Sequence, residues 1–336
     1  MMEQLLQQTP GLQNILLFAV AAVALLLVVL GFVTYAIYFE RKVIGWMQLR
    51  IGPNRVGPLG LLQTVADVAK LLLKEDTRPK HADKALFALA PVLAYAPAFA
   101  VLAVMPFTDT LHFADLGIGI LYYIALSGIT VLGVITAGWA SNNKYSLIGG
   151  LRSAAQMISY EVPLVMSVVG IVLMTGSLNL KEIVLAQQDV WNIVPQFLGF
   201  VVFIIAAQAE LNRTPFDLPE AESELVAGYH VEYSGFRFAM FMLAEYVYMF
   251  GMGTLVTILF LGGWLPIHPA LDFIPPVIWF ILKFSLYVFF QFWLRATMPR
   301  LRADQLMSFA WKGLLPLALI NIMLTALFVS YQSGMM

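Results

Sequence analysis

ILLFAVAAVALLLVVLGFVTYAIYF, residues 15–39, runs for 25 positions without a charged side chain. A bilayer core needs ~20 apolar residues in a helix, so this run is long enough to cross one. Working outward from it, seven further segments qualify, at roughly 85–107, 117–140, 157–176, 190–209, 238–262, 274–294 and 313–332. Composition points the same way: 60% of residues are hydrophobic, 12% are charged, and the mean hydropathy is +0.83. Soluble domains carry about 25% charged residues. The expected fold is therefore all-α: a polytopic membrane protein with about eight transmembrane helices, residues 1–336 forming a single transmembrane domain. No internal repeat and no inverted pair of broken spans is visible, the features that would suggest a secondary transporter. Glu3 and the lack of a basic segment before the first apolar run argue against a cleaved signal peptide.

An even number of spans places both termini on one side and the loops at 40–84, 141–156, 210–237 and 295–312 on the other. Those four loops hold 17 of the 19 Lys and Arg residues; the other two are Lys181 and Lys283. Cytoplasmic loops carry an excess of basic residues, so the four loops are expected in the cytoplasm and both termini outside. The net charge of −1 predicts no nucleic-acid partner. With no cysteine, disulfides, thiolate zinc sites and Cys-ligated iron–sulfur clusters are excluded. The four histidines, His81, His112, His230 and His268, fall in expected loops and are not spaced to clamp a haem. No redox centre of the chain's own is expected.

Residues 210–246 place seven carboxylates, Glu210, Asp217, Glu220, Glu222, Glu224, Glu232 and Glu245, against Arg213 and Arg237. Crowded carboxylates at a membrane surface repel one another and lose hydration, which favours their protonated forms and suits proton-coupled chemistry. Asp217 and Glu220 have capping-box spacing, with Pro219 inside the first turn of a short expected helix. A solvated acidic helix that docks on a basic partner is the simpler alternative, and the two are compatible. Three charges fall inside spans: Glu161 before Pro163, Glu245 two turns into the sixth span, and Lys283 near the middle of the seventh. A charge at a helix centre costs ~2.5–3.5 kcal/mol on insertion scales, so each is expected to face a partner, the bundle interior or water. A structural ion pair of Lys283 with Glu161 or Glu245 and a proton path are the two readings. In the first loop, LLQTVADVAKLLLK after Gly60 is amphipathic and should lie on the membrane plane. GPNRVGP before it should form an irregular turn projecting Arg50 and Arg55.

Four stretches together closely resemble one family: ERKVIGWMQLRIGPNRVGPLGLLQTVADVAKLLLKED (40–76), ISYEVP (158–163), AELNRTPFDLPEAESELVAGYHVEYSGFRFAMFMLAEY (209–246) and RATMPRLRADQLMSFAWK (295–312). The family is the quinone-site membrane subunit of respiratory complex I, NADH-quinone oxidoreductase, known as the H subunit in bacteria and as subunit 1 in mitochondria. The resemblance covers essentially the whole chain, with identity concentrated in these loops. It implies a component at the junction of membrane arm and hydrophilic arm that forms the membrane side of a quinone-binding cavity. The quinone, ubiquinone or menaquinone, is substrate; FMN and iron–sulfur clusters lie in partner subunits and none is bound by this chain. The implied partners are the hydrophilic subunits of the quinone site, the terminal iron–sulfur subunit, small membrane subunits, antiporter-like subunits and the lipid of a bacterial cell membrane. On this resemblance Glu40, Arg41, Trp46, Arg50, Arg55, Phe216, Phe236 and Arg237 line or support the quinone cavity. Glu161, Glu210, Asp217, Glu220, Glu222, Glu224, Glu232, Glu245 and Lys283 form a proton relay, with Arg213 as internal counter-charge. Arg295, Arg300, Arg302 and Asp304 belong to the segment that docks the hydrophilic arm. The sequence leaves two other functions open: an anchor subunit of a related hydrogenase or ferredoxin-linked complex, and a stand-alone ion transporter.

Overall fold

The computed structural model of the chain describes residues 12–218, 225–268, 271 and 273–332. Among them the only regular structure is helical. The long helices are α1 (Leu12–Met47), α3 (Lys84–Ala100, continued by a 3-10 turn to Val104), α4 (Gly119–Ala140), α5 (Lys144–Thr175), α8 (Gly235–Leu259), α9 (Pro276–Thr297) and α11 (Leu315–Gln332). Shorter ones are α2 (Gln63–Leu73), α6 (Leu180–Leu185), α7 (Phe197–Glu210) and α10 (Ala303–Phe309), which a π-helical turn joins to α11. Polar residues at the boundaries set the starts. Asp83 accepts hydrogen bonds from the amides of Ala85 and Leu86, Asn143 from Tyr145 and Asn179 from Lys181.

Seven helices are long and apolar enough to cross a membrane, α10 and α11 counting as one. The fifth expected span, 190–209, is instead the 14-residue α7. At 1.5 Å per residue it is about 21 Å long, short of a hydrocarbon core of about 30 Å. Tertiary hydrogen bonds displace its first turns. Asn192 donates through Nδ2 to the carbonyl of Leu259 (2.9 Å), and the Ile193 amide donates to Phe260 (3.0 Å). Gln196, the residue before α7, donates to Thr325 (2.7 Å) and to Met174 near the end of α5 (3.1 Å). At the other end of α7, Gln156 of α5 donates to the Ala209 carbonyl (2.7 Å). The short helix thus runs antiparallel to α5 from the level of Met174 to that of Gln156 and returns the chain to the end it left. The expected loop at 141–156 contracts to a turn, because α5 begins at Lys144.

The four basic loops meet at one end of the bundle. Arg237 pairs with Asp76 (3.3 Å), and Ser234 accepts from the Thr77 amide (2.9 Å). Asn143 donates to Glu232 (2.6 Å), Ser146 to the Tyr229 carbonyl (3.0 Å), and Arg300 pairs with Asp217 (3.0 Å). At the opposite end Asn179 donates to Asp115 (2.6 Å) and Lys181 pairs with Asp109 (3.0 Å).

Small residues let the backbones approach closely, as is usual where helices associate in lipid. A Cβ on Gly133 of α4 would lie 2.7 Å from the Ala94 nitrogen of α3. One on Gly149 of α5 would lie 2.6 Å from the Gly228 Cα in the acidic segment, which clamps that segment onto α5. Gly149→Ala should therefore lower the thermal unfolding midpoint in detergent, overpacking against backbone costing ~1–3 kcal/mol. Gly31→Ala, with open space around its Cβ, should leave the midpoint unchanged or slightly raised.

Candidate functional site

Where the four loops meet, five side chains from four parts of the chain form a cluster in which Glu40, Arg213 and Tyr246 are buried and Glu245 and Arg295 half-buried. Glu40 lies two turns before the end of α1, Arg213 follows α7, Glu245 and Tyr246 belong to α8, and Arg295 to the last turn of α9. Arg213 Nη1 lies 3.0 Å from Glu40 Oε2, and its Nε lies 2.9 Å from Glu245 Oε1. Tyr246 donates its hydroxyl to Glu40 Oε2 (2.8 Å), and its ring lies 4.5 Å from the Arg213 guanidinium carbon. Arg295 closes the group through Glu40 Oε1. Burial works against the charge on Arg213, yet the carboxylates of Glu40 and Glu245 hold its guanidinium protonated well above the ordinary range. Two acids and two bases balance, so the charges of Glu40 and Arg213 survive burial.

Beside the cluster lies a cavity whose wall includes Thr130, Glu210, Asn212, Tyr229, Glu245 and Tyr248. Glu210 is buried at the end of α7 and interacts electrostatically with Glu161 on α5. Glu245 is thus shared: it lines the cavity and also pairs with Arg213. Phe216 is buried against the Tyr160 ring (5.5 Å), and its carbonyl accepts from Gln156 (2.6 Å). Near Glu232 the buried His230 imidazole packs on Tyr229 and Phe238. Burial pushes it down to about 4, so it is neutral at pH 7.

The other expected site residues are placed differently. Glu220, Glu222 and Glu224, with the Asp217–Glu220 capping box, lie outside the described residues. Trp46, Arg50, Arg55 and Phe236 are exposed. Arg41 pairs with Asp67 of α2 (2.6 Å), and Arg237 lies over the Phe87 ring (5.3 Å). Arg302 and Asp304 are exposed at the start of α10. Lys283 pairs with neither Glu161 nor Glu245. Its ammonium donates to the carbonyls of Gly263 (3.0 Å) and Leu265 (2.6 Å) and lies 4.1 Å from the Trp191 ring, at the end opposite the carboxylates. Lys283 is the first of four polar residues at intervals of four along α9, followed by Tyr287, Gln291 and Arg295. Gln291 donates to the Tyr287 hydroxyl (2.7 Å).

A family model described as NADH dehydrogenase matches residues 20–326. The chain belongs to the NADH dehydrogenase family. Among its relatives in that family, the H subunit of NADH-quinone oxidoreductase from Brevibacillus brevis is 86% identical over 335 residues, covering 100% of both chains. Its counterpart from Anoxybacillus flavithermus is 70% identical over 328 residues, covering 97% of this chain and 98% of its own. The counterpart from Bacillus cereus strain AH187 is 69% identical with the same coverage. The resemblance carried by the four stretches is thereby met, and the helices described above meet the expected all-α membrane fold.

Sequence reading singled out neither Tyr246, which belongs to the cluster, nor Tyr248 and Thr130 on the cavity wall. Tyrosine and threonine are common in membrane helices, and nothing in their spacing distinguishes these from packing residues. The repeat on α9 was a usable signal, since Lys, Tyr, Gln and Arg every fourth residue is unusual in an apolar span.

Replacing Arg213 by Ala leaves Glu40 and Glu245 buried beside a vacancy; the expected loss is about 3–5 kcal/mol of stability, read as failure to accumulate in membranes, with Arg213→Lys intermediate. The neutral His230 gives a second expectation. Its folded pKa is below the unfolded 6.5, so the unfolded chain binds more protons between pH 6.5 and about 4. Stability is fully present above pH 6.5 and falls toward pH 4, by about 3 kcal/mol at most. Limited proteolysis of the loops against pH should show this, and His230→Phe should flatten the dependence.

Proposed function

We propose that the chain is the H subunit of a proton-translocating NADH:quinone oxidoreductase, forming the membrane side of its quinone cavity and passing the effect of quinone reduction to a carboxylate relay. The observation that carries this is Arg213, a buried guanidinium shared between Glu40 on the side of the expected quinone cavity and Glu245 on the wall of the carboxylate cavity. Relatives at 86% and 70% identity bear the name of that component. Electrons reach the quinone from FMN and iron–sulfur clusters in partner subunits, and this chain takes no part in electron transfer. The four basic loops face the cytoplasm of a bacterial cell, toward the hydrophilic subunits, and both termini face outward. Antiporter-like and small membrane subunits adjoin the bundle laterally.

Reduction of a quinone takes up two electrons and two protons, and charge appears in the cavity before the protons arrive. A negative charge there competes with Glu40 for Arg213 and Arg295. Two unit charges about 4 Å apart interact by ~4 kcal/mol at an effective dielectric near 20, so a small displacement of Arg213 alters its hold on Glu245 appreciably. Glu245 weakened in this way takes a proton more readily. The change passes to Glu210 and Glu161 across the cavity, with Glu232 and the acidic group Glu220, Glu222 and Glu224 as the supply from the cytoplasmic end. Arg300, paired with Asp217, ties the docking segment to the same loop.

Pull-down of the tagged chain from its own membranes in mild detergent should recover flavin and iron–sulfur subunits with NADH:quinone activity. Recovery alone, or with hydrogenase subunits, would reduce the assignment to the fold. Glu161→Gln and Glu224→Gln should lower proton pumping and quinone-linked turnover at least tenfold, while NADH oxidation by an artificial acceptor persists because the complex still assembles. Full turnover with full proton yield in both variants would remove the relay.

A further inference from the structure

The segment that carries Arg213 is folded around one side chain of another helix. Gln156 of α5 is completely buried, 0% exposed. Its amide nitrogen donates to the carbonyl of Ala209 (2.7 Å), to Asn212 Oδ1 (3.1 Å) and to the carbonyl of Phe216 (2.6 Å). Backbone carbonyls only accept, so the nitrogen end of the carboxamide must be the end that faces them. The three acceptors stand at the start, middle and end of the stretch 209–216, which turns through Asn212 at a left-handed φ of 51°. Arg213 lies inside that turn, and its own amide donates to the Gln208 carbonyl (3.4 Å). Gln208 also donates through Nε2 to the Thr214 carbonyl (2.7 Å), but it belongs to α7, the helix from which the segment runs. Gln156 instead ties the segment to a second helix, five residues before Glu161. Ala209 directly precedes Glu210, so the same nitrogen holds the peptide beside a carboxyl of the cavity wall.

We propose that Gln156 is a positioning residue for the shared guanidinium, holding the turn at 209–216 so that Arg213 reaches Glu40 and Glu245 at once. This rests on the relay proposed above. The two contacts of Arg213 use different nitrogens: Nη1 toward Glu40 at 3.0 Å and Nε toward Glu245 at 2.9 Å. The guanidinium is a rigid plane, so both are met only in a narrow range of placements. An offset of about 1 Å turns a 3 Å contact into no hydrogen bond. Without the Gln156 amide, two buried carbonyls lose their donor, and the turn shifts to relieve them. Arg213 then loosens from one of its two acids, and charge arriving at Glu40 is no longer felt at Glu245. Gln156 itself forms no hydrogen bond to a carboxylate among the described residues, so it acts through Arg213.

The test compares Gln156→Leu, Gln156→Glu, Glu245→Gln and the double variant of the first and last, in the assembled complex in membranes. NADH oxidation with an artificial acceptor reports assembly; quinone-linked turnover and proton yield report coupling. Gln156→Leu, of similar size and without a donor, should keep artificial-acceptor activity and lower quinone-linked turnover about fivefold. In Gln156→Glu the introduced carboxyl has one proton to donate when neutral and none when ionised. Its turnover relative to wild type should therefore be higher at about pH 6 than at about pH 8, and above that of Gln156→Leu at the lower pH. Because Gln156 acts through Arg213 on Glu245, adding Gln156→Leu to Glu245→Gln should cause no further loss. Wild-type turnover and proton yield in Gln156→Leu would overturn the proposal. Losses that multiply in the double variant would also overturn it, as would Gln156→Glu performing no better than Gln156→Leu at about pH 6, since both patterns mark packing and not the donor. Should Gln156→Leu fail to assemble, Gln156→Met replaces it in the same comparison. Glu245→Gln alone separates the two levels. If it lowers turnover while Gln156→Leu does not, only the role of Gln156 falls; if neither variant has an effect, the relay through Glu245 falls as well.

Discussion

A guanidinium sealed inside a membrane protein constrains everything around it. Arg213 is deeply buried, and the cost of stripping water from its charge is met by Glu40 and Glu245 together with the face of Tyr246. These partners come from α1 and α8, and Glu40 in turn fixes Arg295 of α9. A single short segment after α7 therefore holds three long helices in register. The cavity lies where it does because Glu245 is anchored on one side by this network and leaves its other side to the space between α4, α5 and α8.

The surrounding bundle keeps that arrangement rigid by close backbone approach. Gly133 lets α4 run against α3, and Gly149 lets the acidic segment rest on α5. With so little lateral freedom, the groups free to respond to a new charge are side chains: a guanidinium shared by two acids and carboxyls beside a cavity. The fold thus separates a fixed frame from a small set of responsive polar groups, all near the end where the basic loops meet.

How much of this was legible in the sequence depends on the range of the interaction responsible. Spans such as 15–39 and 117–140 were readable because apolar length is a local property. The truncation of the fifth span was not: Asn192 and Gln196 look like ordinary polar residues near a membrane boundary until their partners at Leu259 and Thr325 are known. Glu40 was expected at a cavity entrance, but its partners lie 173 and 255 positions away, and no local pattern turns it inward. Lys283 was correctly expected to be satisfied inside the bundle. Its partners are backbone carbonyls, which hydropathy and charge counts do not register. The acidic character of 210–246 was plain, whereas the hydroxyls of Thr130, Tyr246 and Tyr248 beside it were hidden among ordinary threonine and tyrosine positions.

The polar line along α9 has a geometric consequence. Residues four apart on an α-helix are rotated by about 40° from exact superposition, so from Lys283 to Arg295 the line winds about 120° around the axis. One end faces Trp191 and the carbonyls of Gly263 and Leu265; the other faces Glu40 on α1. A helix gripped on different sides at its two ends resists both twisting and sliding, because either motion breaks contacts at both ends at once. In mechanical terms α9 is a keyed shaft, and it supplies a fixed axis against which its neighbours α1 and α8 are held.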